Sequence, residues 1–446
     1  MKIKPHTLTA TEAAGYIASG QLKSVQLVQS CLNHIAETDG VIHAWAHLDP
    51  EAALAQAAAC DALRQKGLAT GPLHGIPVAL KDIIDTRDMP TQRGTAIFKG
   101  RQSEADARIV EMLREAGAVI MGKTVTTELA FVHANETRNP HNADHSPGGS
   151  SSGSAAAVAA GHVPLAIGTQ TNGSVIRPAS FCGTFGLKPT RGMIPRTGVL
   201  QTSVSLDQIG TFARTLEDAA FLADAISGYD QRDPESFAHA RPSMSRGAQE
   251  EAPVDPDFAW FNLPFNDRLS EAAHEGLEGV MEILDARVTR MDPANQLSNL
   301  VAVQARIHEY EIALHQAEVF DNNWDQISET LKPVITRARQ ISTAEYEDAL
   351  AVKASAQAFF DDFFIEFDAI IAPAAAGEAP LFGAGTGDPI FCTLWTLAGL
   401  PCVTLPLLVG ETGLPIGVQL IGPAKKDNRL LRTARWLQNH IAAAAA

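Results

Sequence analysis

Apolar positions follow two different periods along the first half of the chain. In the N-terminal part, a helical spacing relates Leu22, Val25, Leu27, Val28, Leu32 and Ile35. Upstream of them, Thr9-Ala10-Thr11-Glu12 has the spacing of a capping box. Short apolar runs appear later, at 76–80, 118–123 and 165–168, and they predict buried strands. Helices are predicted between these runs, at 51–66, 105–116 and 154–160. This alternation of helices and strands favours an α/β fold.

The second half of the chain has its strand signals at the end. We predict strands at 369–372, 402–405 and 416–420 and a last helix at 428–440. A polar cluster at 241–253 predicts an exposed linker or insertion, and helices are predicted from there to about residue 364. Because strand signals occur in both halves, we expect one large domain whose core combines distant segments. The alanine run 442–446 is expected to be a tail outside this domain.

Composition and charge narrow the class of protein. Of 446 residues, 45% are hydrophobic, and 35 Lys plus Arg face 51 Asp plus Glu, for a formal charge of −16. This balance argues against nucleic acid or an anionic membrane as a partner, since both require a basic surface. The N-terminus predicts no signal peptide, and the apolar runs are too short to cross a membrane. The scattered cysteines contain no C-x-x-C pair, so we expect neither zinc nor disulfides, and a cytoplasmic protein. They are Cys31, Cys60, Cys182, Cys392 and Cys402.

A glycine- and serine-rich segment at 147–161 is the densest candidate for chemistry. A phosphate-binding loop requires a lysine where Ser154 follows Gly153, so that interpretation fails. The run 149–153 fits a G-x-S-x-G nucleophile elbow centred on Ser151, although the residues before it make a poor strand. A helix N-terminus capped by serines is the third interpretation. Taken alone, the segment leaves the last two open.

Two further motifs change this picture. The segment lies between Val78-Ala79-Leu80-Lys81-Asp82 and the run 169–179, and in this order the three motifs resemble the amidase signature family of serine hydrolases. The resemblance extends from His74 to Gly422 and implies an α/β domain, 1–441, with a mixed central sheet covered by helices on both faces. Within it we expect N-terminal helices (1–70), a catalytic core (71–225), a variable helical region around the substrate pocket (about 227–342) and the last part of the core sheet (365–425).

The resemblance also implies a catalytic site. Lys81 would be the base, Ser150 a bridging serine after a cis Gly149–Ser150 peptide, and Ser174 the nucleophile. The backbone N–H groups of Thr171, Asn172, Gly173 and Ser174 would form the oxyanion hole. A serine hydroxyl needs a base to take its proton, and a lysine is a base only when neutral. Burial or a nearby positive charge must therefore lower the pKa of Lys81 from its usual value of about 10.4. No metal or cofactor is implied.

The chain departs from the family pattern at two positions. It has Gln170-Thr171-Asn172-Gly173-Ser174 where the family usually has Asp-x-Gly-Gly-Ser, and we expect Asn172 to be tolerated because asparagine accepts positive φ. Ser152 stands where the family often has glycine. A malonamidase-like branch that acts on small amides shares Ser152 and Gln170.

Three further residues have competing interpretations. In the malonamidase-like branch an arginine matching Arg177 is thought to hold a substrate carboxylate, and the alternative for Arg177 is a structural ion pair. His141 and His145 are four residues apart, but without a third ligand they do not predict a metal site.

We therefore expect an amidase that cleaves a carboxamide C–N bond through an acyl-serine intermediate, with anilides, esters and carbamates as further small-molecule substrates. Two alternatives stay open: the glutaminase-type A subunit of a tRNA-dependent amidotransferase, and a catalytically silent scaffold. The sequence leaves the oligomeric state open, a homodimer included.

Overall fold

The structure, a computed structural model, describes residues 4–68, 70–292, 297 and 299–444. Within these residues the chain forms eleven strands. They are β1 (Trp45–Leu48), β2 (Pro77–Lys81), β3 (Val119–Thr124), β4 (Leu165–Gln170), β5 (Phe185–Lys188), β6 (Gln208–Ala213), β7 (Phe258–Phe261), β8 (Val288–Met291), β9 (Ala369–Pro373), β10 (Cys402–Val409) and β11 (Pro415–Ile421).

All these strands join one sheet, in the order β1-β3-β2-β4-β6-β5-β10-β11-β9-β7-β8. The sheet is mixed: β2 runs parallel to both β3 and β4, and β7 runs parallel to both β8 and β9. The remaining pairs are antiparallel. The predicted α/β fold with a mixed central sheet is confirmed.

The helices follow the order of the chain. They are α1 (Ala10–Ser19), α2 (Ser24–Ile42), α3 (Pro50–Gln65), α4 (Arg108–Glu115), α5 (Ser152–Ala159), α6 (Ile176–Phe181), α7 (Leu216–Ile226), α8 (Met244–Gly247), α9 (Glu271–Leu284), α10 (Leu300–His315), α11 (Ala317–Asn323), α12 (Lys332–Ala338), α13 (Thr343–Phe363), α14 (Ile390–Leu397) and α15 (Asp427–Ala444). The predicted capping box begins α1, where Thr9 and Glu12 bond reciprocally. No helix of the described residues has the length and apolar character needed to span a membrane.

Helices cover both faces of the sheet. Successive side chains of a strand point to opposite faces, and in β7 Phe258 and Trp260 join a different apolar cluster from Phe261. The cluster with Phe258 includes residues of α9 and α15, and the cluster with Phe261 includes residues of α10, α13 and α14. Each face is therefore sealed from water by its own layer of helices, which is the main source of stability for a sheet of this size.

Several elements differ from the sequence prediction. β7 and β8 lie in a region predicted to be helical, because short apolar runs such as 258–261 have too few residues to reveal their period. The segment 241–253 is not simply an exposed linker, since α8 lies inside it with Met244 buried and its backbone bonded to Asp224. The expected tail at 442–446 is also wrong in part, because α15 continues to Ala444. Residues 1–3, 445 and 446 lie outside the described residues.

The parallel part of the sheet positions the chemistry. Strands β2 and β4 are parallel neighbours, so their carboxyl ends meet at the same edge of the sheet. Lys81 ends β2, and Gln170 ends β4 just before the glycine-containing turn at 171–174. Helix α5 packs against both strands and begins directly after Ser150 and Ser151. Ligands commonly bind at such an edge in α/β sheets.

Candidate active site

Lys81 is fully buried at the end of β2. Its Nζ donates to Ser150 Oγ at 2.7 Å and to Thr169 Oγ1 at 2.9 Å. Burial lowers the pKa of Lys81 to about 7, and the negative charge of Asp207 opposes part of this shift. Near neutral pH, about half of the Lys81 side chains are therefore uncharged, as a lysine base requires.

The segment before α5 presents Ser150 to Lys81. The Gly149–Ser150 peptide bond is cis, as the resemblance implies. Ser151 is buried, and its hydroxyl donates to the carbonyl of Thr169 and accepts from the Thr169 N–H. Because this hydroxyl is hydrogen-bonded to the backbone of β4, it is not free to act as the nucleophile of a G-x-S-x-G elbow. Gly153 allows the close approach of the chain, since a Cβ there would lie 2.3 Å from the carbonyl oxygen of Ala44.

Ser174 lies in the turn between β4 and α6 and is partly exposed. Among the described residues its hydroxyl has no hydrogen-bond partner, so no direct bond joins it to Ser150 in this structure. Gln170, which ends β4, accepts from the N–H groups of Val175 and Ile176 at 2.8 and 3.0 Å. This side chain holds the start of α6, and with it the turn that carries Ser174.

In the turn at 171–174, three carbonyl groups are hydrogen-bonded to described residues of the protein and three N–H groups are not. Within the described chain, the N–H groups of Asn172, Gly173 and Ser174 donate to no other residue. The carbonyls of Thr171, Asn172 and Gly173 all accept hydrogen bonds, from Gln304, Thr396 Oγ1 and the N–H of Arg177. Three consecutive free N–H groups at one turn are the arrangement that an oxyanion hole requires.

Positive φ is not what shapes this turn. Neither Asn172 nor Gly173 has a positive φ, so the expectation that Asn172 depends on its tolerance of that region is wrong. Gly173 is needed for space, since a Cβ there would lie 3.0 Å from Pro389 and 3.2 Å from Cys392. The Asn172 side chain donates to Gln304 Oε1 at 3.2 Å and accepts from Thr393 Oγ1 at 2.7 Å.

A cavity of about 250 Å³ opens beside this turn. Its walls come from the turn itself, from the loop 130–132, from α10 and α12, and from the loop before α14. The polar and charged side chains on its walls are Thr171, Asn172, Ser174, Arg177, Gln304, His308, Glu309, Arg337 and Thr386. Arg337 and Glu309 form an ion pair with each other. The volume suits a small molecule whose reacting carbonyl meets Ser174.

Arg177 faces this cavity with most of its donors unused. Its Nη2 donates to the carbonyl of Gly149 at 2.6 Å and to Thr386 Oγ1 at 3.2 Å. Its buried Nε and Nη1 have no partner among the described residues, and no carboxylate there lies within ion-pair distance. Burial lowers the pKa of Arg177 to about 10, which still leaves it charged at neutral pH. The structure therefore provides no structural ion pair for this arginine.

The sequence analysis missed the polar wall residues that α10 and α12 contribute, which are Gln304, His308, Glu309 and Arg337. Gln304 and His308 are one turn apart on α10, so they lie on the same face of that helix. The Nε2 of His308 is buried without a hydrogen-bond partner in the described chain, and its ring packs on Phe131 with the centroids 4.4 Å apart. Burial lowers the pKa of His308 to about 4, so the ring is neutral near pH 7. Their spacing of four residues was the only available signal, and it is common in any helix.

His141 and His145 lie away from the cavity. His141 Nε2 lies 2.9 Å from the carbonyl oxygen of Cys182, and His145 faces Leu381 across an isolated bridge. The described residues include no group of three or more potential metal ligands. Trp395 lies in the core, where it packs against Phe360. All five cysteines are buried and free.

Comparison with known proteins identifies the family of this chain. The sequence profile of the family described as Amidase matches residues 26–431. The chain is 36% identical to the A subunit of the glutamyl-tRNA(Gln) amidotransferase of Chloroflexus aurantiacus, over 96% of this chain and 95% of that protein. The peptide amidase of Stenotrophomonas maltophilia is similar in structure, with a TM-score of 0.84, 27% identity, and coverage of 98% of this chain and 97% of that one.

A second solved structure, described as a vestigial protein complex that reveals the origins of an s-triazine catabolic enzyme, has a TM-score of 0.91 and 29% identity. The match covers 97% of this chain and 98% of that one. Profile, sequence relatives and solved structures thus agree over almost the whole chain. The protein belongs to the amidase signature family and is an amidohydrolase.

Proposed function

We propose that this enzyme hydrolyses the C–N bond of a small carboxamide through an acyl-serine intermediate, with Ser174 as nucleophile, Ser150 as bridging serine and Lys81 as base. The observation that carries the proposal is the bond between Ser150 and a fully buried Lys81 whose pKa is lowered to about 7. Keeping a buried lysine uncharged near neutral pH brings no benefit to a residue with a purely structural role. A general base, by contrast, must be uncharged to accept a proton.

The proton route follows from the bonds of Lys81. When Nζ is neutral, its lone pair can accept the Ser150 proton while one of its hydrogens is still donated to Thr169 Oγ1. Ser150 can then take the proton of Ser174 as the Ser174 oxygen attacks the substrate carbonyl. Hydrogen bonds of catalytic groups often tighten only when substrate is bound, so the Ser174 to Ser150 bond is expected to form in that complex.

The remaining steps use the same groups. As the carbonyl oxygen becomes negative, the free N–H groups of Asn172, Gly173 and Ser174 can stabilise it. The protonated Lys81 returns its proton through Ser150 to the leaving nitrogen, the C–N bond breaks, and the amine departs. Water then attacks the acyl-serine by the reverse relay and releases the acid. Anilides, esters and carbamates contain the same kind of carbonyl and are within reach of this chemistry.

For the substrate, we propose a small amide that carries a carboxylate, as in the malonamidase-like branch. Arg177 supports this, because a buried guanidinium with two unpartnered nitrogens at a cavity wall is stabilised by an anion. Arg177 also holds the Gly149 carbonyl next to Ser150, so its loss could act on the base as well as on binding. A test must separate the two roles.

The test compares a half-amide acid with its matched neutral amide in wild type and Arg177→Lys. A charge-assisted bond contributes about 1.5 to 3 kcal/mol, or roughly 10- to 150-fold in kcat/KM. We expect the variant to lose a factor in this range for the acid and much less for the neutral amide. Arg214→Lys is the matched control, since Arg214 donates to the backbone carbonyls of Val163 and Leu8 outside the cavity. An equal loss for both substrates would contradict carboxylate binding by Arg177.

A second candidate is the glutaminase subunit of a tRNA-dependent amidotransferase. The sequence relatives favour it, since the Chloroflexus aurantiacus protein of that name matches 96% of this chain. Release of ammonia from glutamine and from small carboxylated amides by the purified chain distinguishes the two. Turnover of small amides by the single chain supports the first candidate, whereas activity on glutamine alone that depends on added subunits supports the second. A silent scaffold predicts no turnover at all.

We also infer a cytoplasmic setting. All five thiols are free, and burial raises the pKa of both Cys31 and Cys392 to about 12, so they are stable as thiols in a reducing compartment.

A further inference from the structure

The carbonyl groups of the turn at 171–174 are held by side chains from outside the turn. Gln304 Nε2 donates to the carbonyl of Thr171 at 3.0 Å, and Thr396 Oγ1 donates to the carbonyl of Asn172. The third carbonyl, of Gly173, accepts from the N–H of Arg177 at 3.0 Å, which is an ordinary bond at the start of α6. Only the first two therefore depend on the identity of a side chain.

A trans peptide is planar, and its C=O and N–H point in opposite directions. The carbonyl of Thr171 and the N–H of Asn172 belong to one such group. A donor that fixes the Thr171 carbonyl therefore also fixes the direction of the Asn172 N–H. In the same way, Thr396 fixes the N–H of Gly173 through the carbonyl of Asn172.

Gln304 is built to hold this position. It is 2% exposed, and both ends of its amide are used, since its Oε1 accepts from Asn172 Nδ2 at 3.2 Å. A glutamine that donates at one end and accepts at the other can be placed in only one orientation. Asn172 stands where the family usually has glycine, so it provides a bond that the usual residue lacks. Thr393 fixes the other end of the Asn172 side chain.

From this geometry we infer that Gln304 is a positioning residue for the proposed oxyanion hole, acting through the Thr171 carbonyl and the Asn172 side chain. It links α10, in the variable part of the chain, to the peptide groups that stabilise the transition state. The inference rests on the proposed function. It assigns to Gln304 a role in the rate of the chemical step and not in substrate affinity.

The test uses Gln304→Leu, which removes both bonds, and Gln304→Glu, which keeps an acceptor for Asn172 but cannot donate to Thr171. Loss of a complete oxyanion donor typically lowers kcat by about 10²- to 10³-fold. Because the Asn172 N–H is misdirected rather than removed, we expect kcat on the matched neutral amide to fall roughly 10- to 100-fold in both variants, with KM for that amide within about twofold. The rate of reaction with a fluorophosphonate, whose oxygen occupies the same hole, should fall in parallel.

Gln316→Leu is the matched control. Gln316 directly follows α10, is also buried, and donates to the carbonyl of Gln201 at 2.9 Å, outside the cavity. If the melting temperature of Gln304→Leu matches that of wild type or of Gln316→Leu, and its kcat stays within twofold of wild type, the inference is wrong. A loss of kcat in Gln316→Leu equal to that in Gln304→Leu would also overturn it.

The two proposals fail in different ways. A wild-type enzyme that neither cleaves amides nor reacts with the fluorophosphonate contradicts the proposed function. An active wild type with an unaffected, folded Gln304→Glu contradicts only the role of Gln304.

Discussion

Replacing Lys81 by methionine removes the proposed base and keeps most of the buried volume at the end of β2. The side chain has a pKa of about 7 in place of its ordinary 10.5. At pH 7, this difference raises the uncharged fraction from about 3 in 10,000 to about one half, an increase of more than a thousandfold, and corresponds to roughly 5 kcal/mol. Full burial therefore gives Lys81 the large uncharged fraction that the proposed base requires.

The assay is kcat/KM against pH from 5 to 9, with a small amide as substrate. Since the deprotonated lysine is the active form, wild-type activity should rise with pH through about 7 and become level above about 8. Lys81→Met should lose about 10²- to 10⁴-fold in kcat, the usual contribution of a positioned acid–base group, and should lose this pH dependence.

Lys123→Met is the matched control. Lys123 is also fully buried, in the neighbouring strand β3, and donates to the backbone of Ile84 and to Thr91. Its loss should reduce thermal stability and leave the midpoint of the pH profile near 7. If Lys81→Met kept more than about a tenth of wild-type kcat, or if its midpoint matched that of wild type, lysine would not be the base.

Two further predictions concern residues around the base and the cavity. His308→Leu removes a buried Nε2 that has no partner in the described chain, so it should raise the melting temperature measured by thermal unfolding, and a lower melting temperature would contradict this prediction. Asp207→Asn removes a negative charge that favours protonated Lys81, so the pKa of Lys81 should fall and the rise of kcat/KM should move to lower pH, and a shift to higher pH would refute this electrostatic assignment.

The motifs of the sequence contain the proposed catalytic residues but not the cavity walls that α10 and α12 contribute. Lys81, Ser150 and Ser174 stand in short runs whose spacing and residue types are specific, and the parallel strands β2 and β4 bring the ends of two such runs together. Gln304 and His308 lie on a helix in the region 227–342, where only a helical period could be recognised. Their importance depends on the contact between α10 and the turn at 171–174. Tertiary packing between segments that are distant in the sequence decides this contact.

The same limit explains the errors in local structure. β7 is four residues long, and its neighbours β8 and β9 are 27 and 108 residues further along the chain, so nothing near it in sequence indicates a strand. The shape of the turn at 171–174 likewise depends on residues that are distant in the sequence. Asn172 was expected to need positive φ, but the turn obtains its shape from hydrogen bonds to Gln304, Thr393 and Thr396. These three residues lie more than 130 residues further along the chain.

Intact-mass measurement after reaction with a fluorophosphonate, followed by peptide mapping, tests directly whether Ser174 is the nucleophile. Cleavage after Leu165 by chymotrypsin separates Ser174 from Ser150 and Ser151, which trypsin would leave on one peptide because no lysine or arginine lies between residues 151 and 174. We expect one adduct per chain, on the peptide that contains Ser174, and none in Ser174→Ala. An adduct on the peptide that contains Ser150 and Ser151 would contradict this assignment.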